Sequence, residues 1–362
     1  MKNNLDKARE IINEVDKEMA ELFVKRMRAA EMVAEYKKER GLAIYDELRE
    51  EEVVRRNSAL IEDEVLREFY LGFLRNNMAV SRAYQKRIME GMRVAYSGTE
   101  GAFAHIAASK LYPTAEKVAF GDFASAYRAV ESGECDICVL PVENSYNGEV
   151  GQVTDLMFSG SLYVNGMFDL PVTQDLLAID GAKIEDIKEV VSHPQALGQC
   201  SEYIEKHGFT RHEFANTALA AKYVKDLSER SVAAIASREA ADIFGLSVLD
   251  HDINENRSNS TRFAIFSRVA NKKIGKETGI HSILLFTVRN EAGALARAVD
   301  VIGKYGFNMR TLRSRPMKEL LWQYYFYVEV EGNIQTEEGT SLMEELGEFC
   351  DRLKFAGTYI KI

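Results

Sequence analysis

LDKAREIINEVDKEMAELFVKRMRAAEMVAEYK, residues 5–37, decides how the first part of this chain folds. Apolar residues recur in it at spacings of three and four, which is typical of an amphipathic helix that buries one stripe against partner helices. The stripe consists of Leu5, Ala8, Ile12, Val15, Met19, Leu22, Ala29, Val33 and Tyr36. Arg26 takes one position of the stripe, and Lys37 lies about three helical turns later at its edge. A buried cation costs several kcal/mol unless an anion meets it, so the pair predicts a pocket for a small polyanion.

The bulk composition excludes several classes of function. The chain has 362 residues, which is enough for two or three domains. Its formal net charge of -10 argues against a general nucleic-acid binder. The sequence has no apolar run long enough to cross a membrane, and the first 25 residues show no signal-peptide core. We therefore expect a cytoplasmic protein with neither a nucleic-acid nor a membrane partner.

The cysteines give little indication of chemistry. Cys135 and Cys138 form a single CxxC inside an apolar run, without a second pair. We expect them to be small residues in a buried strand, with redox or metal roles as the alternatives. The sequence predicts no metal site and no cofactor.

Residues 1–90 are expected to be almost entirely helical. No proline occurs before Pro113, and Gly41 and Gly72 are the only glycines in this segment. We predict helices over 4–39, 45–58 and 62–89. The first helix is too long to bury its whole apolar stripe against the other two helices of this short segment. We therefore expect a homodimer or higher homo-oligomer formed through the first helix.

The middle of the chain, residues 92–270, alternates short apolar strands with helices. Strands are predicted at 93–96, 137–140, 190–192, 232–236 and 263–267. This alternation is typical of α/β layers with a largely parallel sheet, here long enough for two lobes with a cleft.

The last part of the chain follows a polar, glycine-bearing linker at 271–279. Strands are predicted at 281–289, 307–315, 321–330 and 354–362, with helices at 293–304 and 336–350. The order βαββαβ predicts a ferredoxin-like α+β module.

Further polar residues extend the anion site of the helical segment. Asp46, Arg49 and Glu50 share one helix face, although a solvated face is the alternative for these three. Ser81 and Gln85 are one turn apart on the third helix. Arg9 lies roughly 100° around the helix from Arg26, so a partner subunit would have to present it.

These helical residues resemble, spacing for spacing, the all-helical chorismate mutases, over about residues 1–90. The matching positions are Arg9, Ile12, Asp16, Arg26, Lys37, Asp46, Arg49, Glu50, Ser81 and Gln85. The resemblance implies that Arg26 and Lys37 hold the substrate carboxylates and that Arg9 arrives from the other chain. It also implies that Lys37 and Gln85 donate to the ether oxygen. It further implies that Asp46 and Glu50 hold hydroxyl or backbone groups, that Ser81 holds a carboxylate and that Arg49 helps to hold the substrate.

The middle segment offers hydroxyls, amides and glycines rather than a catalytic triad. Pro141–Ser145 follows a strand, where the ligand crevice of an α/β sheet usually opens. His193 is a candidate general base, but it precedes Pro194 and has no evident carboxylate partner, which favours a structural role. Thr261 is either a functional hydroxyl or a β-branched residue that starts a strand.

Four motifs of this segment resemble those of prephenate dehydratases, over about residues 92–270. They are Gly98–Phe103, Pro141–Ser145, Ser192–Gln195 with Gln199, and Thr261–Phe263. The resemblance implies a two-lobed α/β fold like type II periplasmic binding proteins, with the site in the cleft. Thr261 would be the essential hydroxyl and Arg262 a ligand of a substrate carboxylate. The other implied substrate-binding residues are Asn144, Ser145, Ser192, Gln199, Thr217 and Phe263, while Ala215 stands where some relatives have a glutamate.

Two motifs of the last module resemble the ACT domain attached to such dehydratases, over about residues 280–362. They are Gly293, Ala294 and Leu295, and Arg313, Ser314, Arg315 and Pro316. In that family these segments bind phenylalanine at a dimer interface, so L-phenylalanine is the expected effector. This chain departs from the family at three positions, where Arg313 replaces the usual glutamate, Ala292 a proline and Ala296 a β-branched residue. The alternative to an effector site is a dimerisation module without a ligand.

The sequence thus predicts a multidomain enzyme of the bifunctional chorismate mutase–prephenate dehydratase type. The predicted domains are a helical mutase at 1–91, a dehydratase at 92–270 and a regulatory ACT domain at 279–362. It would convert chorismate to prephenate and prephenate to phenylpyruvate, in phenylalanine biosynthesis. A fusion to prephenate dehydrogenase would need a nicotinamide site, and no G-x-G-x-x-G follows a strand. A non-catalytic sensor is a second alternative.

Overall fold

The computed structural model describes residues 3–256, 258–272, 279–317 and 323–362. The chain divides into two compact units, Met1–Arg93 and Val94–Ile362. Positions 273–278 of the predicted linker and the start of the strand predicted at 321–330 lie outside the described residues.

The first unit contains the three predicted helices. They are α1 (Asn4–Arg40), α2 (Glu47–Ser58) and α3 (Glu64–Glu90). Gly41 ends α1 in the left-handed conformation with φ 63°, and its N–H donates to the carbonyls of the last turn. Asp46 and Asp63 begin the next two helices as N-caps. The helical class expected for this segment is confirmed.

The face of α1 that packs within the chain differs from the predicted one. Met27, Ala30 and Ala34 are buried, whereas Val33 and Tyr36 of the predicted stripe are 43% and 53% exposed. The two alanines have short side chains, which lets α3 approach α1 closely at this point. The amino-terminal half of the stripe is exposed throughout, with Leu5, Ile12, Met19 and Leu22 at 57%, 56%, 42% and 64%.

The second unit begins with a two-sheet α/β structure. Its elements are β1 (Arg93–Ser97), α4 (Phe103–Leu111), β2 (Glu116–Phe120), α5 (Phe123–Glu131), β3 (Ile137–Asn144), β4 (Gly148–Glu149), α6 (Gly151–Ser159), β5 (Tyr163–Pro171), β6 (Asp175–Ala178), a 3-10 turn (Ile184–Asp186), β7 (Glu189–Ser192), α7 (Pro194–Gln199), α8 (Ser201–His207), β8 (Thr210–Glu213), α9 (Thr217–Leu227), β9 (Val232–Ala236), α10 (Arg238–Phe244), β10 (Ser247–Asp250) and β11 (Ser260–Ser267).

The two sheets form the predicted lobes, but the prediction of largely parallel sheets is wrong. The first has the order β2-β1-β3-β11-β5 with β4 beside β3, and the second has the order β10-β6-β9-β7-β8. β11 carries the chain back from the second lobe and pairs antiparallel with both β3 and β5. β6 likewise pairs antiparallel with both its neighbours. Strand direction depends on where the chain crosses between lobes, which local apolar patterns do not encode.

The C-terminal module has the predicted βαββαβ order. Its elements are β12 (Ile280–Val288), α11 (Ala294–Lys304), β13 (Met309–Pro316), β14 (Tyr324–Glu331), α12 (Glu337–Phe349) and β15 (Cys350–Ile360). The sheet order β13-β14-β12-β15 is antiparallel throughout, so the ferredoxin-like prediction is confirmed. The module packs on the first lobe, where β15 lies along β5 and Ile362 N–H donates to the Met167 carbonyl at 2.8 Å.

Candidate active sites

Arg26 and Lys37 lie on one face of α1, and both are half-buried. Arg26 donates from Nη1 to the carbonyl of Asn77 at 3.2 Å and to the hydroxyl of Ser81. The ammonium of Lys37 donates to the Ile44 carbonyl at 2.6 Å. Burial lowers the pKa of Arg26 from its ordinary value. The two cations are therefore directed toward neighbouring chain segments rather than into bulk water.

Two polar residues of α3 accompany these cations in the interior. Ser81 is 6% exposed and Gln85 is 9% exposed. The Oε1 atom of Gln85 is buried and has no hydrogen-bond partner. A buried polar atom without a partner is rare in native structures and marks a place that a ligand or water fills. This face combines positive charge with an unused amide oxygen, which suits an anionic ligand that also carries a hydroxyl donor.

The residues predicted on α2 are more exposed. Asp46 accepts from the Arg49 N–H at 3.0 Å as the N-cap of α2, while the Arg49 guanidinium pairs with Glu52 at 2.6 Å. Glu50 pairs with Arg82 of α3, which the sequence reasoning did not select. Arg9 is exposed on α1.

A cavity of about 560 Å³ separates α2 from α3. Its lining residues are Tyr45, Glu47, Glu50, Glu51, Val54, Arg55, Arg75, Met78 and Arg82. Of the predicted mutase residues, Glu50 alone is among them.

A second cavity, of about 400 Å³, opens between the two lobes of the second unit. Its lining consists of Ala102, Phe103, Asn144, Asn147, Gly148, Glu149, Val150, Val172, Gln174, His193, Gln195, Ala196, Gln199, Ala215, Asn216, Thr217 and Thr261. The predicted residues Asn144, Gln199, Thr217 and Thr261 are thereby brought together from four separate segments of the chain.

Four helices begin at this cavity, and this explains how it can hold an anion. Ala102, Val150, His193 and Asn216 are the N-caps of α4, α6, α7 and α9. Ala102 and Val150 provide no side-chain cap, so N–H groups at the starts of α4 and α6 remain available. Helix N-termini attract anions through these groups and the helix dipole. Since the lining includes neither lysine nor arginine, the helix starts are its main source of positive potential.

Thr261 and Asn144 face each other across β11 and β3. The Nδ2 atom of Asn144 donates to the Thr261 hydroxyl at 2.9 Å, and also to Asn259 Oδ1 at 3.0 Å. The Oδ1 atom of Asn144 accepts the backbone N–H groups of Tyr146 and Asn147, both at 3.0 Å. These N–H groups fix the orientation of the amide, because only its oxygen can accept from them. The Thr261 oxygen is therefore the acceptor, and its own proton remains available to a ligand in the cavity.

Three other polar residues at the cavity have defined positions. The Nε2 atom of Gln199 is buried without a partner, so it too is available to a ligand. His193 Nδ1 accepts the Gln195 N–H at 3.3 Å as the cap of α7, which accords with the structural role favoured for it. Ala215 presents only a methyl group to the cavity.

Several predicted residues lie away from this cavity. Ser192 is fully buried and donates to the Ile235 carbonyl. Ser145 accepts the Ser260 N–H at 2.9 Å, and Phe263 is 1% exposed in the core. Arg262 pairs with Asp169 at 3.1 Å and lies 3.7 Å from Glu143, on the side of β11 opposite Thr261. Successive side chains of a strand point to opposite faces, which separates Arg262 from the hydroxyl beside it in sequence.

Sequence reasoning missed Gln174 and Glu149. Gln174 is 2% exposed, lines the cavity and has a buried Oε1 atom without a partner. Glu149 also lines the cavity, while its side chain, on the opposite face of the β3–β4 pair from Asn144, pairs with Arg315 at 3.4 Å. Gln174 lies between β5 and β6, outside the four motifs. Its polar side chain at a junction between strands was the only sequence feature that pointed to the cavity.

The predicted effector residues of the C-terminal module are divided between solvent and the first lobe. Gly293 precedes α11 with φ 80°, a conformation that favours glycine, and Ala294 is buried while Leu295 is half-buried. Ser314 and Pro316 are exposed on β13. Arg313 pairs with Glu143 of β3, and Arg315 pairs with Asp155 of α6 at 3.0 Å.

Within the described residues, no group of three or more His, Cys, Asp or Glu side chains is arranged to hold a metal ion. In the same part of the chain, no helix has the length and apolar character needed to cross a membrane.

Comparison with known families assigns each part of the chain. Residues 8–86 match the model for chorismate mutase type II, residues 94–271 that for prephenate dehydratase and residues 282–348 that for the ACT domain. A bifunctional chorismate mutase/prephenate dehydratase of Neisseria gonorrhoeae is 30% identical over 97% of this chain and 95% of the relative. Arogenate dehydratase 2 of Petunia hybrida is 35% identical over 74% of this chain and 71% of its own length. The solved prephenate dehydratase of Arthrobacter aurescens in complex with L-Phe superposes with a TM-score of 0.67 at 25% identity, covering 74% of this chain and 90% of that chain.

Proposed function

This chain belongs to the bifunctional chorismate mutase/prephenate dehydratase family, and we propose that its two reactions are divided between the Arg26–Lys37 face and the Thr261 cavity. Both enzyme domains and the ACT domain are present in this chain, and a bifunctional relative matches it over nearly its whole length. The roles of individual residues given below are proposals from their geometry.

In the first reaction, chorismate rearranges to prephenate without a nucleophile. The enzyme has to fold a flexible dianion into the reactive chair, which is catalysis by orientation. Arg26 and Lys37 hold the carboxylates, and Arg9 of a partner subunit adds a third cation. As the C–O bond breaks, negative charge grows on the ether oxygen, and donors from Lys37 and Gln85 stabilise it more in the transition state than in the ground state. The half-buried cations, and the burial of Gln85 one helical turn after Ser81 on α3, support these roles.

In the second reaction, prephenate loses carbon dioxide and its ring hydroxyl as the ring becomes aromatic. The electron pair of the breaking bond to the carboxylate enters the ring, the hydroxyl departs with the electron pair of its own bond to the ring, and it takes a proton from solvent to form water. Thr261 donates its free proton in a hydrogen bond to that leaving oxygen, while Asn144 holds the Thr261 oxygen. The N-termini of α4 and α6 receive substrate carboxylates. The product is phenylpyruvate, the keto acid from which phenylalanine is made.

The mutase site also requires a partner chain. The exposed apolar half of α1 supports a homodimer formed through that helix, which brings Arg9 to the partner's cations. We place the domain borders at 1–91, 92–270 and 279–362, near the ranges of the three family models. We also propose a cytoplasmic location, which suits four cysteines of which none forms a disulfide.

Feedback inhibition by phenylalanine is the regulatory part of the proposal. The ferredoxin-like module supports it, as does the relative that was solved with L-Phe. Ser314 and Pro316 are exposed and accessible to an effector, whereas Arg313 and Arg315 are engaged by acids of the first lobe. Calorimetry with phenylalanine tests this part: heat of binding with dehydratase inhibition supports it, and absence of heat leaves a module without a ligand.

The observation that carries the proposal is the Asn144–Thr261 hydrogen bond at a cavity surrounded by helix N-termini. The test is to incubate the purified chain with chorismate and to follow chorismate, prephenate and phenylpyruvate separately. Successive appearance of both products supports the proposal. A chain that leaves chorismate unchanged, or stops at prephenate, contradicts it for the corresponding site.

A further inference from the structure

The β3–β4 hairpin carries two like charges directly opposite each other. Glu143 pairs with Glu149 in the antiparallel register, one position from the pair Asn144 and Gly148. Residues paired in this way project from the same face of the sheet, and like charges so placed destabilise the pairing. Since Asn144, Gly148 and Glu149 all line the Thr261 cavity, the geometry of this hairpin determines the geometry of the site.

The C-terminal module supplies counter-charges to both glutamates. Arg313 of β13 donates from Nη2 to Glu143 Oε1, and Arg315 lies with Nη1 3.4 Å from Glu149 Oε2. Residues two apart on a strand share a face, so one strand directs both arginines at the hairpin. The side chains of Arg313 and Arg315 are only 29% and 21% exposed, so solvent screens these pairs less than surface pairs.

Other cations near Glu143 do not replace Arg313. Arg262 has its Nη1 atom 3.7 Å from Glu143, but its Nε donates to Asp169 at 3.1 Å. The contact of Arg313 with Glu143 is the closer one. Without the charge of Arg313, Glu143 would face Glu149 with Arg262 as its nearby cation, and Arg262 is already paired with Asp169.

We propose that Arg313 is a positioning residue for the dehydratase reaction, which acts through Glu143 to hold Asn144 against Thr261. The inference rests on the proposed function of the Thr261 cavity. Glu143 directly precedes Asn144, so a shift of its side chain moves the amide that orients the Thr261 hydroxyl. The C-terminal module is then part of the frame of the dehydratase site, even without a bound effector.

A double-mutant cycle in the full-length chain tests this role. Arg313→Gln should lower dehydratase kcat by about tenfold to a hundredfold, the cost of a small misalignment of catalytic groups, with little change in KM. Arg313→Lys should restore part of the rate, since it keeps the charge. Glu143→Gln removes the opposed charges, so the double variant Glu143→Gln/Arg313→Gln should be faster than Arg313→Gln alone.

Two internal controls accompany the cycle. Mutase activity belongs to the other compact unit and should be unchanged in every variant. Arg310 lies on the same strand as Arg313 but pairs with Glu331 on the exposed face. Arg310→Gln should therefore keep the wild-type dehydratase rate.

A dehydratase rate within twofold of wild type in Arg313→Gln overturns the inference, as does a double variant whose losses simply multiply. If Arg313→Gln fails to unfold cooperatively, recovery of folding and rate in the double variant supports the inference, and failure to recover overturns it. A wild-type chain without dehydratase activity would instead contradict the proposed function itself.

Discussion

The side-chain amide of Asn144 donates to the Thr261 hydroxyl at 2.9 Å, while its oxygen is held by two backbone N–H groups. The threonine oxygen is thus occupied as an acceptor, and its proton is free to serve the substrate. A hydroxyl is too weak an acid to ionise here, so this arrangement assists a leaving group by hydrogen bonding.

Asn144→Asp should lower the dehydratase rate by about 10²-fold or more, because a carboxylate would accept the Thr261 proton instead of donating to its oxygen. Steady-state kinetics with prephenate measures the change. Asn165→Asp is the matched control, since it makes the same change in an amide that donates to Ser267 and Val269, outside the cavity lining. Equal rates in Asn144→Asp and the wild type would show that the amide does not orient Thr261.

Lys37→Ala should lower the mutase rate by about 10²- to 10³-fold, the usual cost of one transition-state donor. The helices should stay folded, because Lys37 contributes one contact to the Ile44 carbonyl. Chorismate consumption gives the rate, and circular dichroism gives the helix content. Dehydratase activity on added prephenate should be retained, and a near-normal mutase rate would refute the assignment of Lys37.

Ile12→Glu should lower mutase activity by removing the subunit that supplies Arg9. Ile12 is 56% exposed on the unburied apolar stripe of α1, where a carboxylate would be buried on dimerisation. Mutase rates measured across a range of protein concentrations test this. Met32→Glu is the control, because Met32 is 71% exposed and lies on roughly the opposite side of the helix. The same loss in both variants would rule out an interface specific to that stripe.

The stability of the second unit should rise with pH in the alkaline range because of Lys354. Its ammonium donates to the carbonyls of Met157 and Gly160 at the end of α6, and burial lowers its pKa to about 8. In the unfolded chain the pKa of lysine is about 10.4. The unfolded chain therefore binds more protons between these values, so the free energy of unfolding rises from about pH 8 to about 10.4.

Thermal unfolding at several pH values measures this contribution as the difference between the wild type and Lys354→Gln. Lys304→Gln should keep the alkaline rise, since the Lys304 ammonium is exposed and Glu345 raises its pKa. A wild-type profile that matches Lys354→Gln across this range would show that Lys354 titrates normally.

The helices and the order of elements were predictable because they depend on local pattern. The spacing of apolar residues in α1 and the stop at Gly41 are properties of neighbouring residues. The Thr261 motif was recognisable, but its strand was predicted only from residue 263, because Ser260, Thr261 and Arg262 are polar. The observed strand begins at Ser260.

Contacts between distant segments were not predictable in the same way. The face of α1 that packs on α3 is set by two small alanines, which no apolar pattern distinguishes from the stripe beside them. Arg262 faces away from the cavity because successive side chains of a strand point to opposite faces. The motif alone does not show which of these faces borders the cleft. Arg313 and Glu143 are 170 positions apart in sequence, and only the packing of the two modules brings them together.

The most direct test of two separate sites on one chain uses Thr261→Val, which keeps the shape of the side chain and removes its hydroxyl. The variant is incubated with chorismate, and the products are identified by proton NMR. We predict that chorismate is consumed at the wild-type rate and that prephenate accumulates, with phenylpyruvate formation slowed by about 10²-fold or more. Phenylpyruvate appearing as fast as in the wild type would contradict the account.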